Sequence, residues 1–428
     1  MAVALFALWQ TQVCAQELED IRTSADKSKD FSTKNRVYEQ TIRTVRLRLR
    51  GGLGTRDMPT PVVPFNPNRP VPLRLSFDCL SEDAQYYEVQ LIHCNADWSP
   101  SSLAPIDYLD DYNEFPINDF EYSINTRVPY IHYWFDLPRV KMSGNYLIKV
   151  YHEGDEDDLV LTQRMMVHES IVEAGLQRRE GNINRERQQL SLQVYYGNLS
   201  LERPRSQIKA VVRQNYRWDN AIVDLKPTFV NQMHRRLEYS PASGSLSFWA
   251  GHEFRQVDLS DLENGGFQVG RINRMEELNR VVLQKDKPRE GRAYNKGLFQ
   301  DRQGNYQIAV QQWDDPRVEA DYAEVVFRLH TGNPLKSPVY VTGGFCNWRP
   351  YEALKMDYVP SEGIYYAVAF LKQGIYDYYY RSSGENPNAV EGNFFQAQND
   401  YDALIYYRAF GARGDRLVGY IDNSRQRR

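Results

Sequence analysis

The sequence predicts an all-β chain, a signal peptide followed by three consecutive β-sandwich domains of immunoglobulin or fibronectin-III type. Three observations carry this expectation. Apolar and polar residues alternate with a period of two in segment after segment, as half-buried strands require. The chain is 428 residues long, enough for two to three domains at roughly 150 residues each. It also holds 30 tyrosines, with 13% aromatic and 42% hydrophobic residues overall. That composition excludes disorder as the main state, and tyrosine suits a pleated surface that is apolar at its base and wet at its tip.

Met1 to Ala15 reads MAVALFALWQTQVCA, an apolar run with small residues at Val13 and Ala15, and predicts a signal peptide spanning 1–15. No Lys or Arg precedes the run, and it is too short to span a bilayer. No later stretch approaches 18 consecutive apolar residues, so membrane association is expected only through a partner. Cleavage after Ala15 leaves Cys79, Cys94 and Cys346. Three thiols cannot all pair, and a Cys79–Cys94 bridge would need a strained register, so buried free thiols are expected.

The first unit, 40–170, opens with Val45, Leu47 and Leu49 pointing one way and Arg46, Arg48 and Arg50 the other. Val71, Leu73, Leu75, Phe77 and Cys79 repeat the alternation, followed by strands at 86–94, 130–137, 145–152 and 159–168. Turns are marked by Ser143-Gly144 and by the acidic run from Glu153 to Asp158. A second β unit, 175–315, starts with Leu190, Leu192, Val194 and Tyr196 and continues with Ile208, Ala210 and Val212. Its stretch from Arg271 to Lys296 is basic and reads as a solvated connection. A third unit, 320–428, contains the strands at 322–329, 339–345, 363–371, 374–381 and 404–410. No fixed-period repeat links the three.

The formal net charge of −4 argues against nucleic acid as a partner. No nucleophile elbow, phosphate loop or dinucleotide fingerprint is present. His252-Glu253 lacks the second histidine of a zinc-protease face. His93 and Cys94 are neighbours on one strand and face opposite sides, so they cannot share a metal; His93 reads as a core or turn histidine. Asp110, Asp111, Glu114 and Asp119 cluster in a loop dense with aromatics, which reads as a self-packed loop rather than a two-carboxylate site. The Glu153–Asp158 run lacks the ligand spacing of a calcium loop and reads as a hairpin tip. No enzyme activity, metal, cofactor or small-molecule substrate is expected.

The stretch from Leu91 to Val150 carries a more specific signal. Its pieces are His93-Cys94-Asn95-Ala96-Asp97-Trp98, Asp107-Tyr108-Leu109, Ile117-Asn118-Asp119, Ser123-Ile124-Asn125-Thr126, His132-Tyr133, Leu137-Pro138 and Ser143-Gly144-Asn145-Tyr146. In order and spacing they resemble the type IX secretion system plug family, with one departure at Asp111-Tyr112, where a Gly followed by an aromatic is expected. The resemblance implies a non-enzymatic, exported protein at the periplasmic face of the outer membrane. It would bind the giant outer-membrane translocon barrel and close its periplasmic mouth when no cargo is present. Protein interfaces concentrate their energy in aromatic and Arg anchors. The candidate anchors are Trp98, Tyr108, Tyr112, Phe115, Phe120 and Tyr122, all in the loop 98–125.

A second resemblance offers an alternative. Val341-Thr342-Gly343-Gly344-Phe345-Cys346-Asn347-Trp348, Gly363-Ile364-Tyr365-Tyr366 and Gly374-Ile375-Tyr376-Asp377-Tyr378-Tyr379-Tyr380 resemble the early-set immunoglobulin domain that accompanies glycogen-active enzymes. That likeness implies a periplasmic carbohydrate-binding or glycan-processing protein in which Trp348 and Tyr378 stack on sugars.

Overall fold

The computed structural model describes residues 29–51, 61–179, 186–240, 245–294 and 302–423. The expected signal peptide and Cys14 lie outside the described residues. Strand accounts for 45% and helix for 4% of the structure, so the chain is all-β. Its sheets pair into three sandwiches, each around its own apolar core.

The first sandwich packs two sheets. One runs in the order Arg36–Val37, Leu159–His168, Gly144–His152, Tyr87–Cys94, Phe115–Pro116, with Val62–Pro64 added in parallel to Leu159–His168. The other runs Ile42–Leu49, Leu73–Cys79, Ile131–Asp136, Asp119–Tyr122. Leu73, Leu75 and Phe77 from one sheet meet Val89, Leu91, Ile148 and Val150 from the other. The alternation read from the sequence is the pleat of these strands.

The remaining boundaries differ from the sequence expectation. Tyr401–Tyr407 and Arg416–Asp422, expected in the third unit, belong to the second: Tyr401–Tyr407 pairs antiparallel with Ile208–Gln214, Ile208 facing Tyr407 and Gln214 facing Tyr401. Together with Ile222–Leu225 they form one sheet of the second sandwich. Its other sheet holds Glu173–Arg178, Arg187–Tyr195, Arg236–Tyr239, Phe229–Asn231 and Ser247–Trp249. Conversely, Arg255–Asp258, Val269–Arg274, Asn279–Leu283 and Tyr306–Ile308, expected in the second unit, belong to the third. There they join Tyr322–His330, Val339–Thr342, Asp357–Val359, Ile364–Lys372 and Gly374–Ser382. The third sandwich is thus inserted into the second, between Trp249 and Tyr401. The physical reason is visible in Tyr401–Tyr407, which is buried on both faces. Tyr401, Ala403 and Ile405 enter the second core, while Leu404 and Tyr406 pack against the first sandwich. Apart from Asp402, which is buried and paired with Arg213, such a strand is apolar on both faces and does not announce its partner.

Candidate docking surface

The loop from Trp98 to Asn125 is ordered by its own contacts. A single helical turn, Pro105–Tyr108, is capped by the Asp107 carboxylate accepting from the Ala104 N–H at 2.8 Å. The Asn113 side chain bonds both the N–H and the C=O of Leu91 at 2.9 Å. This satisfies backbone groups that would otherwise be stranded at a sheet edge.

The structure splits the six candidate anchors. Trp98 and Tyr108 are only 2% and 4% exposed and cannot serve as surface anchors. The Tyr108 hydroxyl donates to the Leu91 carbonyl at 3.0 Å. Trp98 meets Trp218 of the second sandwich edge to face at 5.2 Å, and the Arg164 guanidinium lies 4.2 Å from the Trp98 ring centre. Phe115 is half-buried beside Phe135. Tyr112, Phe120 and Tyr122 are exposed at 78%, 37% and 53%. Phe120 and Tyr122 project from the same strand, Asp119–Tyr122, which is the edge of its sheet. Their rings lie 6.0 Å apart, and Phe120 also packs 5.5 Å from the buried Tyr133. Tyr86, 70% exposed, follows Gln85, whose N–H donates to the Tyr133 hydroxyl at 2.7 Å. Sequence reading missed Tyr86 because it falls at a strand start outside the loop.

The early-set turn also serves packing. Gly344–Cys346 forms a 3-10 turn, and Asn347 and Trp348 follow at φ 51° and 63°. This turn drives the indole inward until Trp348 is 3% exposed. The indole lies beneath the Arg217 guanidinium of the second sandwich, 4.2 Å from its ring centre. Arg217 is itself held by Asp219 at 2.7 and 2.9 Å. Tyr378 is fully buried in the third core, donating to Asp286 at 2.8 Å. The expected sugar-stacking role of Trp348 and Tyr378 is therefore corrected, since neither ring offers a face to solvent.

The first and third sandwiches meet across a buried polar cluster. Asp78 accepts from His132 Nδ1 at 2.6 Å through one oxygen. Its other oxygen accepts from Lys372 Nζ at 2.6 Å and Tyr322 OH at 2.7 Å. The Lys372 ammonium also donates to the Arg317 carbonyl at 2.7 Å and sits 4.0 Å from the Tyr130 ring centre. Burial alone would push the Asp78 carboxyl up. The Lys372 charge and the His132 hydrogen bond outweigh it and hold the group below the usual carboxylate range. Around the cluster, burial lowers Arg43 and Arg46 and brings Arg48 down to about 10. Arg46 and Arg48, on the polar side of the strand read from the sequence, thus line an interdomain face beside Tyr306, whereas Arg50 is exposed and pairs with Asp136 of its own sandwich.

Among the described residues, Cys79, Cys94 and Cys346 are free and buried, as expected. Glu39, His152 and Asp158 bring their ligand atoms together in the manner of a cation site. The Lys29 ammonium already pairs with Glu39 at 2.6 Å and with Asp158, and it supplies the positive charge there. His93 is buried, accepting or donating at 3.0 Å with Ser101, and burial lowers its pKa to about 4.

The family description type 9 secretion system plug protein 1st domain matches residues 42–169, a span that covers nearly the whole first sandwich. Among solved structures, a hypothetical protein from Parabacteroides merdae is 31% identical, with a TM-score of 0.84, covering 92% of this chain and 99% of that one. A chicken TCR chain is 12% identical over 45% of this chain and 86% of that one, and its TM-score of 0.14 carries no weight. No curated protein matches the chain.

Proposed function

This chain belongs to the type IX secretion system plug family, and from that premise we propose that it binds the giant outer-membrane translocon barrel of the system and closes its periplasmic mouth in the absence of cargo. The family places it as an exported, envelope-associated component of type IX secretion. The finer role rests above all on the match of the first sandwich to the plug domain.

The architecture supports a closing role. A body that blocks a wide pore must hold its shape, and here each sandwich is tied to the other two by buried contacts. Trp98 and Trp218 join the first to the second. Asp78 and Lys372 join the first to the third. Trp348 and Arg217 join the third to the second. At these joints the charged groups are paired, Asp78 with Lys372 and Arg217 with Asp219, and are packed against aromatic rings rather than arranged around an open cleft, which favours a non-enzymatic part. The exposed aromatics Tyr112, Phe120 and Tyr122 supply the anchors that a protein interface concentrates at its centre.

Affinity recovery from gently solubilised envelopes tests the reading. A tagged chain should bring down the giant barrel in stoichiometric amount. Recovery of the chain without the barrel would overturn the proposal.

A further inference from the structure

We propose that the free edge of the Asp119–Tyr122 strand accepts an extended segment of the barrel partner as an added β-strand; the inference rests on the plug reading and specifies its contact. Among the described residues the strand pairs with Ile131–Asp136 alone, Asp119 facing Trp134 and Tyr122 facing Ile131. Ser123 N–H donates to the Tyr130 carbonyl at 2.8 Å and the Tyr130 N–H returns to the Ser123 hydroxyl at 3.0 Å, so Ser123 turns its N–H toward the ladder at the position of a hydrogen-bonded pair. In an antiparallel ladder such pairs alternate. Glu121 and Asp119 therefore turn their backbone groups inward to the ladder, and Phe120, Tyr122 and Ile124 turn theirs outward.

The position after the strand bears this out. The Ile124 N–H points away from the ladder and donates to the Val318 carbonyl of the third sandwich at 2.9 Å. The edge is thus already used for strand-like pairing where it meets the rest of the molecule. Asp119, Phe120, Glu121 and Tyr122 are all exposed, so the outward amides and carbonyls of Phe120 and Tyr122 face solvent.

Exposed edges are templates for strand addition, and natural proteins guard them with proline, lysine or bulges. This strand has no proline, lysine or bulge in its four residues, and its guards are its short length and the acids Asp119 and Glu121. It offers two aromatic side chains at the residues whose backbone faces outward. In strand addition, main-chain bonds supply affinity and alternate side chains supply specificity. The strand itself carries the exposed acids Asp119 and Glu121, Glu121 pairing with Arg317 at 3.3 Å, and Glu114 is exposed shortly before it. The fitting segment is extended, apolar at alternate positions and basic between them.

Two measurements test this on the full chain. In Phe120→Pro the outward N–H is removed without touching a ladder bond, and Phe120→Ala removes the ring alone. With wild type recovering the barrel, Phe120→Pro should recover at least about tenfold less, corresponding to about 1.4 kcal/mol. Phe120→Ala should lose less. Hydrogen exchange on the unsubstituted chain provides a readout independent of any folding defect: the Phe120 and Tyr122 amides should exchange freely in the isolated chain and become protected in the barrel complex. Unprotected amides in a complex that forms, or full recovery by Phe120→Pro, would overturn strand addition and leave the plug reading standing. Failure of wild type to recover the barrel would instead sink the plug reading. Protection arising from self-association of the isolated chain would also overturn the inference, by assigning the edge to a second copy.

Discussion

Lys372→Met is the sharpest perturbation of the joint between the first and third sandwiches. The Lys372 and Asp78 side chains are 2% and 1% exposed and their charged atoms lie 2.6 Å apart. Methionine nearly preserves the volume but deletes the ammonium. It leaves Asp78 buried with His132 and Tyr322 as its remaining partners. Removing one partner of a buried pair costs about 3–5 kcal/mol, and the lost contact with the Tyr130 ring adds up to about 2 kcal/mol where desolvated. A loss of at least about 3 kcal/mol is therefore expected. Native-state hydrogen exchange at Leu73–Cys79 and Ile364–Lys372 reads it locally, since a three-domain chain need not unfold in one step. The double variant Asp78→Asn, Lys372→Met removes both charges and should recover to within about 1–2 kcal/mol of wild type. A loss below about 1 kcal/mol for Lys372→Met, or costs that simply add in the double variant, would refute the reasoning.

Three further outcomes follow from the same contacts. His93, lowered to about 4 by burial, is neutral in the native state. Its contribution is complete above pH 6.5 and lost as pH falls from there to about 4, worth about 3 kcal/mol. Urea unfolding at pH 7.5 and 4.5 should show a wild-type loss that is smaller by about 2.5 kcal/mol in His93→Asn, since pH 4.5 lies just above the folded value. In Gly304→Ala the new Cβ would stand 1.8 Å from the Trp348 ring, at a residue with φ of +76°. Overpacking and the left-handed backbone together should cost about 2–4 kcal/mol, read as a lowered unfolding midpoint with red-shifted tryptophan emission. Trp98→Ala should cost about 3–5 kcal/mol and raise exchange in both the first and second sandwiches, because the indole belongs to the joint between them. Destabilisation confined to the first would contradict that placement.

Most strands were legible because alternation reports which side of a strand is buried. It does not report against what. Tyr376, Tyr378 and Tyr380 alternate along one strand and share one face, and they enter the core of the third sandwich. Arg46 and Arg48 alternate as solvent-facing residues would, yet they line an interdomain joint, where tyrosines such as Tyr306 and Tyr322 meet arginine, lysine and aspartate. The insertion of the third sandwich was invisible for the same reason. Pairing of Ile208–Gln214 with Tyr401–Tyr407 joins residues almost 200 positions apart, and no local pattern encodes such a choice. At the docking surface, the aromatic content of the loop 98–125 was readable. The division into buried joint residues, Trp98 and Tyr108, and exposed edge residues, Phe120 and Tyr122, required the sheet edge and the neighbouring sandwich to be seen together.

The claim that this chain closes a pore is tested most directly by outer-membrane permeability. In cells lacking the chain but retaining the barrel, a large hydrophilic dye that ordinary porins exclude should enter the periplasm. Restoring the chain should abolish entry, and deleting the barrel as well should do the same. Unchanged exclusion of the dye in cells that have the barrel and lack the chain would contradict the account.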